Sequence, residues 1–161
     1  MAVQVYSFLD VAVSIQGPNG SFQLGTGSGV AEEGITWDYV IDSETMTNGA
    51  DGTPMHSLHA SKGGTCSVKL QKTSPLNAQL MQMWKADRAN GSQDWGQNTI
   101  TMTNTARGDN IVGQSVAFRK PPANVNAVDG GMMDWVFNCG IVDETLGDGN
   151  PTSNAIQQAG G

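Results

Sequence analysis

His56 and His59 are the only histidines of the chain and Cys66 and Cys139 its only cysteines, so these four are the side chains best suited to hold a zinc ion. Their spacing argues against it. Residues three apart on a strand point to opposite faces, which keeps His56 and His59 from sharing an ion if they lie on one. Zinc sites also use denser ligand clusters. Nucleophilic catalysis needs a base beside Ser or Cys. No G-x-S-x-G is present, and GTGSGV at 25–30 lacks both a strand–turn–helix context and the Gly-Lys-Ser/Thr ending of a phosphate loop. It reads as a flexible loop. Glycosidase-type acid–base work pairs carboxylates; Glu32 with Glu33, or Asp38 with Asp42, could supply them. A sugar cleft also wants aromatic walls, and Trp37, Trp84 and Trp135 fall on apolar core faces instead. Trp95, in SQDWG, stands in a loop and is the candidate interface anchor. The residues therefore predict no catalytic site, no metal and no cofactor. A small hydrolase built on His56 or His59 is the weakest reading that they support.

The elements that position these residues are mostly strands. Residues 3–16 alternate, with Val5, Leu9, Val11, Val13 and Ile15 on one face. GPNG at 17–20 is a turn, and SFQL follows. Ile35, Trp37, Tyr39 and Ile41 face one way on the next strand, and Thr36, Asp38 and Asp42 the other. Residues 42–64 are polar and rich in turn residues, which predicts an extended hairpin arm with TMT rising and MHSLHA descending around a GADG tip. Cys66, Val68 and Leu70 alternate in a further strand. Ser74-Pro75 opens a helix with Ser as N-cap and Pro at the first helical position. Leu76, Leu80, Met83 and Trp84 give it one apolar stripe, and Gly91 ends it. Ile100 and Met102, then Val112, Val116 and Phe118, then Met133, Trp135, Phe137, Cys139 and Ile141 mark three more strands. The predicted fold is mainly β: a β-sandwich or barrel of antiparallel strands with one flanking α-helix. It occupies residues 1–147, and a flexible tail covers 148–161.

At 161 residues the chain suits one domain. Only 14% of residues are charged, against about 25% in ordinary domains. The net charge of −7 is unevenly spread along the chain. Residues 1–61 carry Asp10, Glu32, Glu33, Asp38, Asp42, Glu44 and Asp51 and no base. Residues 62–120 hold all eight bases against Asp87, Asp94 and Asp109, a net of +5. From 121 onward there are acids alone. Either folding mixes these segments, or they form complementary faces that steer one subunit onto the next. An acidic chain lacks the clustered Lys and Arg of a nucleic-acid binder, although a negative wall suits a passage through which DNA slides. The start MAVQVYSFLD has no signal-peptide pattern, and no apolar run approaches a membrane span. The expectation is a soluble protein made in a reducing cytoplasm, with two free, buried thiols.

Seven blocks, in order, resemble the tail tube proteins of contractile-tailed (myovirus-type) phages: YSFLDV at 6–11, GVAEEGIT at 29–36, TMTNGADGTPMHSLHASKGGT at 45–65, LQKTSPLNAQL at 70–80, ARGD at 106–109, VAFRKPP at 116–122 and DWVFNCGIVD at 134–143. The resemblance covers residues 6–147. It implies a sandwich or barrel with a flanking helix, shared with the tube protein of type VI secretion. Six copies would form a ring, and rings would stack inside a sheath into a hollow virion tube assembled in the host cytoplasm. The tube would conduct DNA without reading its sequence. The implied partners are the chain itself, the tail sheath protein, the baseplate or tube initiator and the tape measure protein, with no membrane. On this reading Asp38 and Asp42 are lumen-facing candidates, with pairing to a neighbour's Lys or Arg as the alternative. Met46, Asn48, Asp51, Met55, His56 and His59 become inter-ring candidates on the arm. A β-sandwich binding module of a virion and a secretion-system tube protein are the competing readings, and the fold alone does not separate them from a phage tube.

Overall fold

The structure, a computed structural model, describes residues 11–24, 30–104 and 106–147, with side chains given for all of these except 30–33. The expected strand over 3–10, the loop at 25–29 and the tail at 148–161 lie outside the described residues. The elements run β1 (Val11–Gly17), β2 (Gly20–Gln23), β3 (Val30–Tyr39), β4 (Glu44–Asn48), β5 (Pro54–Leu58), β6 (Gly64–Gln71), α1 (Leu76–Asn90), β7 (Asn98–Asn104), β8 (Asp109–Lys120) and β9 (Met132–Thr145). The fold is mainly β, with antiparallel strands and one helix. Among the described residues seven strands form one sheet in the order β2-β1-β7-β8-β9-β6-β3, and β4 and β5 pair only with each other. Among the described residues β2 and β3 do not pair, so the sheet of a single chain stays open and is not a closed barrel.

Period-two alternation gives this sheet one apolar face. Val11, Val13 and Ile15 of β1, Cys66, Val68 and Leu70 of β6, and Trp135, Phe137 and Cys139 of β9 are all buried in one cluster. Helix α1 adds Leu80 and Met83 to it, with Leu76 and Trp84 half-buried alongside. Phe118 packs edge-on to Trp135 at 6.0 Å and against Phe137 at 4.9 Å, the tilted geometry that aromatic pairs prefer. The helix also buries polar groups that its apolar stripe does not announce. Trp135 Nε1 donates to Asn77 Oδ1 at 2.9 Å, which satisfies the indole in the core. Asp87 accepts from Asn98 Nδ2 at 2.9 Å and Asn19 Nδ2 at 2.7 Å. Pro75 precedes the helix, and Ser74 Oγ accepts from the Leu76 amide at 3.3 Å. Gly91, at φ 61°, donates its amide to the Asp87 carbonyl and closes the other end.

Two expected core positions are displaced by a single feature. Ser115 has a positive φ of 54°, and the β7–β8 register shifts by one residue between the pairs Ile100–Gly113 and Asn98–Val116. This is a β-bulge, which inserts a residue and flips the alternation. Before it, Ile111 and Gly113 face the core; after it, Val116 and Phe118 do. Val112, expected inward, therefore lies on the other face. The paired strand turns over at the same level: Cys139 is buried, Gly140 and Ile141 are exposed, and Val142 is buried in place of Ile141. Tyr39 and Ile41 are likewise exposed, because β3 ends at Tyr39.

Gly113 and Ser115 make this bend testable. A Cβ on Gly113 would sit 3.0 Å from Trp37 Cζ3 and 3.1 Å from Cys139 Sγ, so Gly113→Val should destabilise the chain by about 1–3 kcal/mol through overpacking. Ser115→Gly relieves the left-handed backbone, partly offset by extra freedom in the unfolded chain, and should stabilise by about 0.5–1 kcal/mol. Urea unfolding of the unassembled chain, followed by Trp fluorescence, measures both.

Candidate functional site

The residues expected to do chemistry are dispersed. Cys66 and Cys139 lie in the core, whereas His56 is exposed on the arm and His59 half-buried at its base, so the four do not form one ligand set. Among the described residues no group of three or more His, Cys, Asp or Glu side chains converges on one point. Burial pushes the Cys139 thiol up from its ordinary 9.0 to about 11. Burial, and then proximity to Cys139, holds Cys66 still further above the usual thiol range. Both are inert packing groups at neutral pH. The side chains of Glu32 and Glu33 fall outside those described.

What the fold does build is a set of exposed surfaces. The arm is the most complete of them. β4 and β5 pair from Glu44–Leu58 to Asn48–Pro54, and every one of their residues is exposed. Asn48 ends the rising strand. The register puts Glu44, Met46, His56 and Leu58 on one face and Thr45, Thr47, Met55 and Ser57 on the other. Met46, Met55 and Leu58 are 54%, 61% and 87% exposed, so neither face has a core of its own. The tip is closed by Gly52, at φ 85°, and by Asp51, whose Oδ1 accepts from the Thr53 amide at 3.0 Å and whose carboxyl is thereby held below its usual range. His59 secures the base. Its amide donates to Ser43 O at 2.9 Å, Nδ1 donates to the Asp42 carbonyl at 2.8 Å, and Nε2 meets Thr45 Oγ1 at 3.2 Å. His56 Nδ1 contacts Glu44 Oε1 on the arm's first face.

Asp38 and Asp42 do not share a strand face. Asp38 is exposed on β3 in a cross-strand row with Thr65, Asn138 and Ala117. Asp42 lies beyond the end of β3, at the arm's base. The row belongs to the sheet's second face, which is rich in small polar residues such as Ser14, Ser67, Thr99, Thr101 and Thr103. Trp95 is 38% exposed beside Arg88, Gly91 and Ser92, on the rim of a shallow cavity of about 350 Å³. Arg88 itself stacks over Trp84 at 5.1 Å.

Two surfaces escaped the sequence reading. One is a groove of about 430 Å³ at the arm's base, lined by Tyr39, Lys62, Gln114, Ile141, Asp143 and Glu144. It exists because the bend at Ser115 and Gly140 turns Ile141 outward. Desolvation, and then Glu144 and Asp143, raise the Tyr39 phenol above its usual value. The other is the 121–131 connection between β8 and β9, whose residues 123–130 are all exposed. Its PPANVNAVDGG composition signals a loop but not what the loop carries.

The thiols yield a pH prediction. A proton kept by the folded Cys139 but lost by the unfolded chain favours folding below about pH 9 and ceases to do so as pH rises through about 11. Stability should hold to about pH 9 and then fall, and the fall should be shallower in Cys139→Ala. A thiol reagent at pH 8 should label neither cysteine before unfolding.

The profile of the family described as "Bacteriophage PhiTE tail tube protein" matches residues 3–147. No curated protein sequence matches the chain. Among solved structures, the anti-feeding prophage cap, a tube-terminating cap, aligns over 91% of this chain and 95% of its own at 10% identity, with a TM-score of 0.52. The fold is shared at that level. Two structures from the extracellular contractile injection system PVC align more loosely. The sheath–tube complex has a TM-score of 0.48, with 13% identity over 84% of this chain and 88% of that one. The sheath/tube terminator has a TM-score of 0.45, with 13% identity over 91% and 98%.

Proposed function

The chain belongs to the bacteriophage PhiTE tail tube protein family, and on that premise we propose that it is the structural subunit of an inner tail tube, acting by assembly and not by catalysis. Six copies form a ring and rings stack into a hollow tube within a sheath; the tube starts on a baseplate initiator, encloses a tape measure protein and later conducts DNA. Assembly takes place in the host cytoplasm, and the product is part of the virion. Family membership favours this over a binding module.

The observation that carries the reading is the arm. A two-stranded hairpin is at best marginally stable in water, and this one exposes every side chain, including three large apolar ones. It acquires a core when it lies against another subunit. Met46, Asn48, Asp51, Met55, His56 and His59 then meet the adjacent ring, and Trp95 meets a neighbour as a rigid anchor. The second face of the sheet, built mostly of small polar residues with Lys69 opposite Asp134 among them, lines the channel. Asp38 on that face repels phosphate over the roughly 8–10 Å of the Debye length. Asp42, near the arm, contributes at the rim.

Replacing residues 44–58 by a short Gly/Ser linker should leave the sheet folded, since the arm contributes nothing to its core, but should abolish tubes in negative-stain images. Tubes of unchanged length would overturn the arm's role. In particles that still assemble, Asp38→Lys should slow DNA release; unchanged ejection kinetics would remove Asp38 from the lumen.

A further inference from the structure

The arm and the 121–131 loop stand at opposite ends of the sheet. β6 runs from Gly64, where the arm rejoins, to Gln71; β9 lies antiparallel to it, pairing Gly64 with Cys139 and Gln71 with Met132. Seven residue steps, or about 23 Å at the rise of an extended strand, separate the two ends. The charges separate as well. The arm and its base carry Asp42, Glu44, Asp51, Asp143 and Glu144, with Lys62 the nearby base. The far end carries Lys72, Arg119 and Lys120 against Asp129 of the loop, and so stays net basic. Lys72 Nζ donates to the Val125 carbonyl and to Asn126 Oδ1, tying the loop down onto the end of β6. Arg119 and Lys120 are exposed and, among the described residues, unpaired. The same end exposes Val125, Val128 and Met132, at 58%, 104% and 48%.

We propose that this basic, apolar-tipped end is the seat for the β4–β5 arm of a second copy in the next ring. The occupant follows from complementarity: an acidic hairpin with exposed Met46, Met55 and Leu58 meets a basic surface with exposed Val125, Val128 and Met132. Unlike surfaces at opposite ends make a heterologous contact, which propagates instead of closing. Every ring therefore points the same way along the tube, and like-charged ends repel a reversed ring. The inference rests on the tube reading above and adds the receiving surface.

Two experiments on the full chain test it. In the first, Val128→Cys is combined with Ala50→Cys at the arm tip or with Met55→Cys on the arm; the native cysteines are buried and do not interfere. Mild oxidation of assembled tubes should give a ladder of covalent oligomers on a non-reducing gel from at least one pair, and none from the unassembled chain. In the second, Arg119→Glu with Lys120→Glu should abolish tubes while native mass spectrometry still shows closed rings. Lys120→Gln alone, a milder change in case the double variant does not fold, should shorten them. Tubes that form normally but give no ladder, and that keep their length in the charge variants, overturn this proposal and leave the tube reading standing. An unaltered chain that forms neither rings nor tubes overturns both.

Discussion

The subunit depends on burying one face of one sheet. Trp135 and Phe137 on β9 sit between β6 and β8, with Phe118 packed against both, and the indole hydrogen bond to Asn77 holds the helix over them. Each of these aromatics brings a large apolar area out of water, and burial of that size dominates the favourable side of folding. The register that delivers them is fixed on both sides of β9, because a slip by one residue would turn the whole apolar set to solvent. Helix α1 covers part of this face with Leu80 and Met83, and the other face, the arm and the loop ends are left outside the core.

Those leftovers are the surfaces on which the proposed assembly rests. A sheet with a polar second face can line a wet passage without burying unsatisfied groups. A hairpin with no core requires a partner surface, and a charge difference between the ends of the sheet gives that partner a direction. The bend at Ser115 and Gly140 links the two halves of this account. By turning both strands over at one level it keeps Ile111 and Val142 in the core while moving Ile141 out to the groove beneath the arm. A strained residue in the sheet thus shapes the surface on which the arm stands.

Much of this was legible in the residues. The strands carrying Val11, Val13 and Ile15, or Cys66, Val68 and Leu70, show their burial as simple alternation. The arm could be read from its polarity and turn residues, and the helix end from Gly91. The bulge could not. Ser115 has no turn-forming neighbour to betray a positive φ, so alternation carried across it put Val112 and Ile141 on the wrong face. Tyr39 and Ile41 failed for a related reason: an apolar pattern continues past the point where the sheet can cover it. Asp87 and Asn77 look like solvent-facing helix positions and are buried because Asn98, Asn19 and Trp135, distant in the chain, satisfy them. The surfaces proposed for assembly were legible only as segments; it took the topology to place Glu44 and Asp51 at one end of the sheet and Arg119 and Lys120 at the other.

A helical reconstruction from electron micrographs of the purified, polymerised chain tests the central claim most directly. The account predicts a hollow tube in which the Asp38 and Thr65 face of the sheet looks into the lumen, helix α1 lies outside the barrel wall, and each arm reaches the next ring. A filament without a channel, or a tube whose lumen is lined by the helix, would contradict it.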